Sequence, residues 1–430
     1  MSTSGDWDDD VPSPVSSDQD AEHDSGPVAD QDTFVLLTEP ADGIPGVIDT
    51  QAELDAAASV LRTELGPVAL DAERASGIRY GQRAFLIQLR REDGPILLVD
   101  PEAIADFSAL AEAIAGSEWI LHAATQDLAC LAELGLRPSR LFDTELAGRL
   151  LGLPRVGLAS LTEELLGITL AKSHSAADWS RRPLPTSWLS YAALDVELLH
   201  ELREELIGRL QDTGRWDWAQ QEFTALLDFQ PKVHPEPWRR VSGISAAKTP
   251  QQLAVVRALW SAREDVASKL DRAPGRVLPD AAIVAAAEAG PKNLRALSEL
   301  PAYARQGRRL RRWWEAIASA QSESGEELPG KPLRVGIPHH RTWRRSNPEA
   351  AARYEVARGV ILRLADTLAI APEVLIPPDA VRAITWTDHT GADAAALAED
   401  LSAAGARPWQ IAEVAQELAV ALRPTETTNA

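Results

Sequence analysis

Residues 67–73, with the sequence PVALDAE, decide how the rest of the chain is interpreted. Their apolar and small members predict a buried β-strand that runs into two acids. Residues two apart on a strand project from the same face, so the carboxylates of Asp71 and Glu73 are expected to point into one site. Adjacent carboxylates repel each other, and a bound cation relieves that repulsion. The alternative is a strand that simply ends in a polar turn.

The composition bounds the class of protein. A chain of 430 residues with 45% hydrophobic and 25% charged residues is typical of a globular protein of two to four domains. The sequence contains no apolar run of membrane-spanning length and no secretory signal, so we expect no membrane partner. Cys130 is the only cysteine, which excludes disulfides and cysteine-rich zinc sites within the chain and favours a reducing cytoplasm.

The charge is unevenly distributed along the chain. The formal net charge is −21, and residues 1–50 hold thirteen acids and no Lys or Arg. Residues 231–345 instead hold twenty-one Lys and Arg against eleven acids. Such a distribution suits an enzyme whose acidic region binds cations and whose basic region binds a polyanion. The alternative is that the arginines only solvate helix faces.

The first half of the chain alternates strands with helices. Residues 1–32 are acidic and poor in large aliphatic residues, which predicts a disordered tail. Residues 33–225 predict an α/β domain with a mixed sheet. Its predicted elements are strands at 34–37, 67–73, 84–89, 96–99, 119–121 and 141–142, and helices at 50–65, 102–115, 124–134 and 187–210.

The second half is predicted to be entirely helical. Residues 226–248 and 321–346 have the composition of linkers, and helical units are predicted at 249–320 and 347–424. The first unit opens with Thr249 as N-cap of a capping box. The two units are similar in length, which suggests a degenerate tandem repeat.

Three further residues are candidates for the same site as the first two acids. Asp127 lies in the first turn of a predicted helix just past a strand, where α/β sheets place functional groups. Tyr191 and Asp195 are four apart on a helix, so a phenol and a carboxylate share one face. Each feature taken alone is common and usually structural.

The order of these features is more specific than any one of them. The chain runs Asp-x-Glu on a strand, His-x-x-x-x-Asp at a strand–helix junction, and Tyr-x-x-x-Asp on a late helix. It thereby resembles the ribonuclease D family of 3′→5′ exonucleases, in the subclass whose third motif carries Tyr. The helical unit at 249–320 resembles the HRDC domain, and 347–424 resembles a second, more divergent one. The segments that carry the resemblance are LDAE (70–73), LHA (121–123), FDT (142–144), DWSRRPL (178–184) and YAALDV (191–196).

The resemblance implies a fold and a chemistry. The fold would be a ribonuclease H-like mixed-sheet α/β exonuclease domain followed by two small all-α HRDC-type domains. The activity would be metal-dependent trimming of RNA 3′ ends, with precursor tRNA and small structured RNAs as substrates of a monomeric enzyme. Oxygen-only ligands favour two Mg²⁺ or Mn²⁺ ions over zinc. The expected ligands are Asp71, Glu73, Asp127 and Asp195, and Tyr191 would orient the attacking water.

Other residues are candidates for contact with RNA. Lys172, Arg181 and Arg182 lie in a polar loop before the catalytic helix, where phosphate contacts are plausible. His122 either touches substrate or completes a hydrogen bond under the sheet. Asp143 is expected to cap a helix, and Trp179 and Trp188 either stack on a base or pack in the core. In the helical region a cluster of arginines precedes two tryptophans, and its members are Arg308, Arg309, Arg311 and Arg312.

Two rival functions remain at this stage. A DNA exonuclease of proofreading type could use the same carboxylates, because nothing in the motifs reads a 2′-hydroxyl. A non-catalytic RNA-binding protein would not need the complete set of acids.

Overall fold

The computed structural model describes residues 34–63, 66–92, 94–171, 177–330, 336–388 and 393–423. The acidic tail predicted over 1–32, Lys172, and Asp93 between the predicted strands 84–89 and 96–99 lie outside these residues.

Two sheets are formed by eight strands of the described chain. The pattern of buried residues in 67–73 yields a strand there, as its sequence predicts. The strands are β1 (Val35–Leu37), β2 (Val47–Ile48), β3 (Val68–Arg74), β4 (Ala84–Arg91), β5 (Leu97–Val99), β6 (Glu118–Leu121), β7 (Arg140–Asp143) and β8 (Ile168–Leu170).

The larger sheet is mixed and is centred on β3. Its strand order is β2-β5-β4-β3-β6-β7, and β1 pairs with β8 in a separate two-stranded sheet. Strand β3 runs antiparallel to β4 and parallel to β6, so the first acidic strand lies inside the sheet rather than at an edge. This arrangement confirms the predicted mixed-sheet α/β fold.

Helices cover both faces of this sheet. Three predicted helices differ in extent: the first ends at Leu61, the second begins only at Ser108, and the long helix predicted from about 187 to 210 is divided at Leu198. The helices are α1 (Gln51–Leu61), α2 (Ser108–Ile114), α3 (Leu128–Glu133), α4 (Thr144–Leu150), α5 (Leu158–Leu166), α6 (Thr186–Glu197), α7 (Leu199–Asp212) and α8 (Trp216–Leu226).

Alternation along β3 divides the core into two layers. Val68, Leu70 and Ala72 pack in one apolar cluster with residues of α1, α2 and α3. Ala69 belongs to a second cluster together with residues of α6 and α7. Because Asp71 shares the parity of Ala69, its side chain projects toward the helix layer that contains α6.

The rest of the described chain is helical. Thr249 forms the predicted capping box with Gln252. The helices are α9 (Pro250–Leu270), α10 (Pro274–Val277), α11 (Asp280–Ala289), α12 (Leu294–Ser298), α13 (Arg309–Ser322), α14 (Trp343–Ser346), α15 (Pro348–Leu368), α16 (Pro372–Leu375), α17 (Pro378–Trp386), α18 (Ala394–Ala403) and α19 (Pro408–Ala421).

The two helical units repeat each other element by element. Each starts with a 21-residue helix, α9 or α15, whose N-cap side chain accepts a backbone hydrogen bond and whose first residue is proline. Each long helix ends in a left-handed residue, Asp271 or Ala369, and a four-residue helix with proline at its start follows. The offset is constant, since 347 minus 249 and 369 minus 271 both give 98.

Both helical units are packed onto the α/β domain. Asp271 accepts hydrogen bonds from Arg83, which follows β3. The second helical unit contacts the α/β domain at Ala369. A Cβ on Gly152 of the α/β domain would overlap the carbonyl of Ala369, so the two backbones are in direct contact. The indoles of Trp218 and Trp409 stack with their ring centroids 4.4 Å apart.

Three smaller observations complete the fold. Trp238, in the interval interpreted as a linker, is buried in the core of the first helical unit, so this interval contributes to that core. Cys130 is buried in the cluster that covers one face of the sheet. Among the described helices, none has the length and hydropathy required to cross a lipid bilayer.

Candidate active site

Strand β3 and helix α6 together bring three acids into one cluster. Asp71 and Glu73 lie on β3, opposite Gln88 and Leu86 of β4, and Asp195 lies on α6. Oxygen atoms of the three carboxylates lie within 4.8 Å of one another. The side-chain alternation of the strand and the four-residue spacing on the helix therefore place these residues as their patterns predict.

Tyr191 contributes a phenol to the same cluster. It lies one turn before Asp195 on α6, and the two side chains are joined by a hydrogen bond. Burial, followed by the charges of Asp195, Glu73 and Asp71, raises the pKa of Tyr191 well above its ordinary value. The phenol is therefore protonated at neutral pH and donates to the Asp195 carboxylate.

The acids of the cluster hold their protons unusually strongly. Burial is the main cause, and it raises the pKa of Asp71 to about 6 and that of Glu73 to about 10. The charges of Asp71, Asp195 and Asp127 add to the effect on Glu73. Burial also raises the pKa of Asp195 well above its usual range. Such a group of acids is stabilised by whatever positive charge replaces the protons.

Asp127 lies beside the cluster rather than inside the group of three. It is buried, it precedes α3, and its Oδ1 lies 3.5 Å from Nη2 of Arg74. Burial is the largest cause of the raised pKa of Asp127, and the charge of Asp71 is the second. The two acids are therefore near each other. Arg74 also donates a hydrogen bond to the carbonyl of Gln126 and so holds the start of α3.

Arg74 is a residue of the site that sequence reasoning missed. Simple alternation would turn its side chain away from the face that bears Glu73. The pairing of β3 with β4 shifts register between Glu73 and Arg74, and such an irregularity re-aims the side chain that follows it. The only signal in the sequence is a basic residue directly after the two acids.

The residues of the cluster fit hard divalent cations. All of the candidate ligand atoms are carboxylate oxygens, and three of the groups are already close enough to share an ion. Oxygen ligands of this kind suit Mg²⁺ and Mn²⁺, which lack the preference of zinc for nitrogen and sulfur.

His122 is placed in a structural environment. Its Nδ1 lies 2.9 Å from Oγ1 of Thr144, and burial lowers its pKa to about 4. The imidazole is therefore neutral at physiological pH. This placement supports the hydrogen-bonding alternative over contact with the substrate.

The polar loop before α6 divides into two kinds of arginine. Arg181 is exposed. Arg182, by contrast, donates to both carboxylate oxygens of Asp100 and to the carbonyls of Phe85, Trp179 and Arg181. These bonds use all five N–H groups of its guanidinium. These bonds give Arg182 a structural role, and its contact with phosphate stays a prediction. Lys172 of the same loop lies in a part of the chain that the structure does not describe.

The aromatic residues near the site also differ from each other. Trp179 is fully buried and lies 5.4 Å from Trp188 between ring centroids, so it packs in the core and is not available to stack on a base. Trp188 is half-buried. Asp143 caps α4 as expected, because its Oδ1 accepts the N–H of Leu146.

The arginine cluster of the first helical unit is partly neutralised. Arg312 forms an ion pair with Asp265 at 2.8 Å, and Arg311 lies 3.5 Å from Glu315 on the same helix. Arg308 is exposed and Arg309 is half-buried at the start of α13.

Models of protein families match three intervals of the chain. Residues 45–211 match the model of the 3′-5′ exonuclease domain, and residues 252–317 match the HRDC domain. Residues 336–422 match the model described as the 3′ to 5′ exonuclease C-terminal domain. The exonuclease domain family depends on divalent metal ions.

Curated relatives and solved structures agree with the family models. The chain is 30% identical to ribonuclease D of Gluconacetobacter diazotrophicus over 66% of its own length and 74% of the relative's. It is 32% identical to ribonuclease D of Pseudomonas paraeruginosa over 72% and 81%, respectively.

Among solved structures, a protein from Bifidobacterium adolescentis is 38% identical, with a TM-score of 0.83 over 90% of this chain and 99% of that one. Escherichia coli RNase D shares the fold at 24% identity, with a TM-score of 0.64 over 84% and 98%. Together with the acidic cluster, these matches show that the chain belongs to the ribonuclease D family and is a 3′→5′ exoribonuclease.

Proposed function

We propose that this enzyme trims the 3′ ends of structured RNAs, including precursor tRNA, by two-metal hydrolysis that releases nucleoside 5′-monophosphates. The observation that carries the proposal is the convergence of Asp71, Glu73 and Asp195 within 4.8 Å. A phenol hydrogen-bonded to one of these acids lies at the same place.

Asp71, Glu73 and Asp195 would hold one ion, and Asp127 with Asp71 would help to hold a second. Bound divalent ions stabilise charge on the attacking and leaving oxygens of a phosphodiester and acidify water. The proposed role of Tyr191 is to orient the attacking water. A phenol with its ordinary pKa of about 10 is a poor base at neutral pH, which favours orientation over proton abstraction.

The helical units would supply the surface that holds the RNA. Arg308 is an exposed cation of the first helical unit, and basic residues beside aromatic ones suit single-stranded RNA. Arg181, in the loop before α6, is an exposed cation of the exonuclease domain. E. coli RNase D, which has this fold, is described as an exoribonuclease involved in structured RNA processing. We further propose a monomer that works in a reducing cytoplasm, which the single, buried cysteine supports.

The decisive experiment uses two copies of one RNA, labelled at the 3′ end and at the 5′ end. With Mn²⁺ or Mg²⁺, the 3′ label should leave as a nucleoside 5′-monophosphate in the first step, and the 5′-labelled strand should shorten one nucleotide at a time from that step onward. Asp195→Asn should bind the RNA and leave both labels in place. A matched DNA strand tests the rival function.

Appreciable hydrolysis by Asp195→Asn would refute the ligand assignment. Release of a 3′-monophosphate would refute the proposed direction of attack. Equal rates on RNA and DNA would mean that the enzyme does not distinguish the two sugars.

A further inference from the structure

Arg74 places a positive charge among the acids of the active site. Its Nη2 lies 3.5 Å from Oδ1 of Asp127, and 24% of its side chain is exposed against 6% for that acid. It also donates a hydrogen bond to the carbonyl of Gln126, the residue before Asp127. The guanidinium therefore binds both the carboxylate and the backbone that leads to it.

The charge of Arg74 acts on more than the acid that it contacts. Burial raises the pKa of Asp71, Glu73 and Asp127, and the charge of Arg74 acts in the opposite direction on all three. Within the described part of the chain, the Asp127 carboxylate has no second ion pair and no other hydrogen bond. Arg74 thus stabilises the ionised acids of the metal-free protein, as a bound cation would.

The ion pair with Arg74 accounts for the position of Asp127. The carboxylates of Asp71, Glu73 and Asp195 have oxygens within 4.8 Å of one another, whereas Asp127 is outside this group. A guanidinium on Asp127 and a divalent ion shared by Asp127 and Asp71 would bring two positive charges together in a buried site, where their repulsion is strong. Arg74 must therefore leave Asp127 before that acid can help to hold a second ion.

A phosphate group offers Arg74 another partner. The fork of a guanidinium matches the oxygens of a phosphate, with which it forms bidentate, charge-assisted hydrogen bonds. In the proposed reaction a phosphate of the RNA lies at the acidic cluster, and the side chain of Arg74 is partly exposed beside that cluster. The position of the arginine therefore allows it to exchange Asp127 for a phosphate.

We propose that Arg74 controls the availability of Asp127: it competes with the second divalent ion for this carboxylate and exchanges it for a phosphate of the bound RNA. RNA and the second ion then bind cooperatively, because the phosphate draws away the arginine that opposes the ion. The inference rests on the proposed function, since it concerns the second ion of that mechanism.

The first test measures Mn²⁺ binding to the full chain without RNA, by calorimetry and by the electron paramagnetic resonance of free Mn²⁺. Arg74→Met should tighten the binding of the second ion at least about fivefold more than that of the first, because loss of a nearby charge alone would favour both ions to a similar extent. Arg74→Lys, which keeps the charge and loses the fork, should lie between Arg74→Met and the wild type.

Arg149→Met is the matched control for this test. It removes an arginine from a half-buried ion pair of the same domain, and the partner of that arginine, Glu145, is not one of the four acids. Both Mn²⁺ affinities of this variant should equal those of the wild type.

The second test adds adenosine 5′-monophosphate, which carries the phosphate of the proposed product and has no phosphodiester to hydrolyse. A phosphate is itself a ligand of divalent ions, so it should tighten the second Mn²⁺ in every variant. In the wild type and in Arg149→Met this tightening should be at least about threefold greater than in Arg74→Met, because only they have an arginine that moves from Asp127 to the phosphate.

The outcomes separate this inference from the proposed function. If labelled RNA is not hydrolysed but Arg74→Met binds the second Mn²⁺ more tightly, the proposed function fails and the competition for Asp127 stands. If RNA is hydrolysed and Arg74→Met tightens both ions equally, tightens neither or binds a single ion, the inference fails and hydrolysis stands. Equal effects of the monophosphate on Arg74→Met and the wild type would overturn the exchange of Asp127 for phosphate.

Discussion

The phenol of Tyr191 keeps its proton at neutral pH, because its ordinary pKa of about 10 is raised further by burial. Its O–H donates to Asp195, so in the proposed mechanism its hydroxyl group would orient that carboxylate as well as the attacking water. Both roles depend on the hydroxyl group and not on the ring.

Tyr191→Phe is therefore expected to lower kcat by about 10- to 100-fold, because loosely held reactants lose the benefit of orientation. KM for RNA and the melting temperature should change little, since the ring still packs against Trp179. Single-turnover kinetics on 3′-labelled RNA measure this effect. A variant as fast as the wild type would remove Tyr191 from the reaction.

Metal binding should stabilise the protein more at high pH than at low pH. Burial raises the pKa of Asp71 to about 6 and that of Glu73 to about 10, above their unfolded values. Stability from a group with a raised folded-state pKa is fully present below its unfolded pKa and is lost as the pH rises through the folded value. The stability that these two acids contribute to the metal-free protein therefore declines from about pH 4 upward, and a divalent ion would supply positive charge in place of the departing protons.

The increase in melting temperature on adding Mn²⁺ should be small at about pH 5.5 and several-fold larger at about pH 8. The double variant Asp71→Asn/Glu73→Gln, which carries no titrating group at either position, should show little increase at either pH. An increase of equal size in the wild type at both pH values would contradict this account.

At the scale of single residues, sequence reasoning found those side chains whose geometry follows from local periodicity. Asp71 with Glu73, and Tyr191 with Asp195, are such pairs. It did not predict the ion pair of Arg182, because the buried acid that binds this arginine, Asp100, lies 82 residues earlier in the chain. It missed Arg74, because a register shift is set by the neighbouring strand and not by the sequence around the arginine.

At the scale of elements, one side chain ties the end of β6 to the start of α4. Asp143 caps α4, and its carboxylate also accepts the N–H groups of Ala123 and Ala124. Ala123 has a φ of 56°, a left-handed conformation that is costly for alanine and is held by this bond. The turn so fixed leads directly to Asp127.

Asp143→Ala should lower the free energy of unfolding by about 3 kcal/mol, because three backbone donors lose a charged acceptor. It should also slow hydrolysis, since the turn that positions Asp127 is released. Chemical denaturation and kinetics on the same preparation measure the two effects. Thr249→Ala is a suitable control, because it removes an N-cap far from the site and should cost about 1 kcal/mol with no loss of activity.

The extents of elements were harder to predict than their existence. Thr249 was identified as an N-cap because capping is a local interaction. The helix predicted over 187–210 is divided at Leu198, and no glycine or proline at that point indicates a break in the sequence. It lies where Arg90 of β4 pairs with the buried Glu197 at 3.6 Å, a contact between distant parts of the chain.

On the scale of the whole molecule, the two helical units touch the α/β domain through equivalent residues. The left-handed residue after each long helix makes the contact: Asp271 through its carboxylate with Arg83, and Ala369 through its carbonyl with Gly152. The repeat was foreseen from the lengths of the units, but these contacts were not, because they join residues more than 180 positions apart.

Gly152→Ala should weaken the docking of the second helical unit by several kcal/mol, because the new methyl group overlaps a backbone carbonyl that has little freedom to move. Gly135→Ala is the matched control: its φ of 80° is equally unfavourable for alanine, but a Cβ there meets nothing within 4 Å. Hydrogen exchange in α15 and α19 should increase for the first variant only. Equal exchange in both variants would mean that the contact does not hold the unit in place.

The salt dependence of RNA binding should distinguish two pairs of arginines. Arg311 and Arg312 already face acids, whereas Arg308 and Arg309 have no ion pair among the described residues. Arg308→Ala/Arg309→Ala should reduce the slope of log K against log salt by about 1.4 for single-stranded RNA, that is, about 0.7 for each phosphate that is no longer neutralised. Arg311→Ala/Arg312→Ala should reduce it less. An unchanged slope for the first pair would mean that these arginines do not face RNA.

The enclosed Cys130 has a practical consequence for studying motion in this enzyme. Burial raises the pKa of its thiol to about 12, so alkylating reagents should not react with it while the chain is folded. A cysteine introduced on either helical unit would then be the one reactive thiol, and a fluorophore attached there would report how that unit moves when RNA arrives. The natural sequence thus provides a background for single-site labelling without any prior substitution.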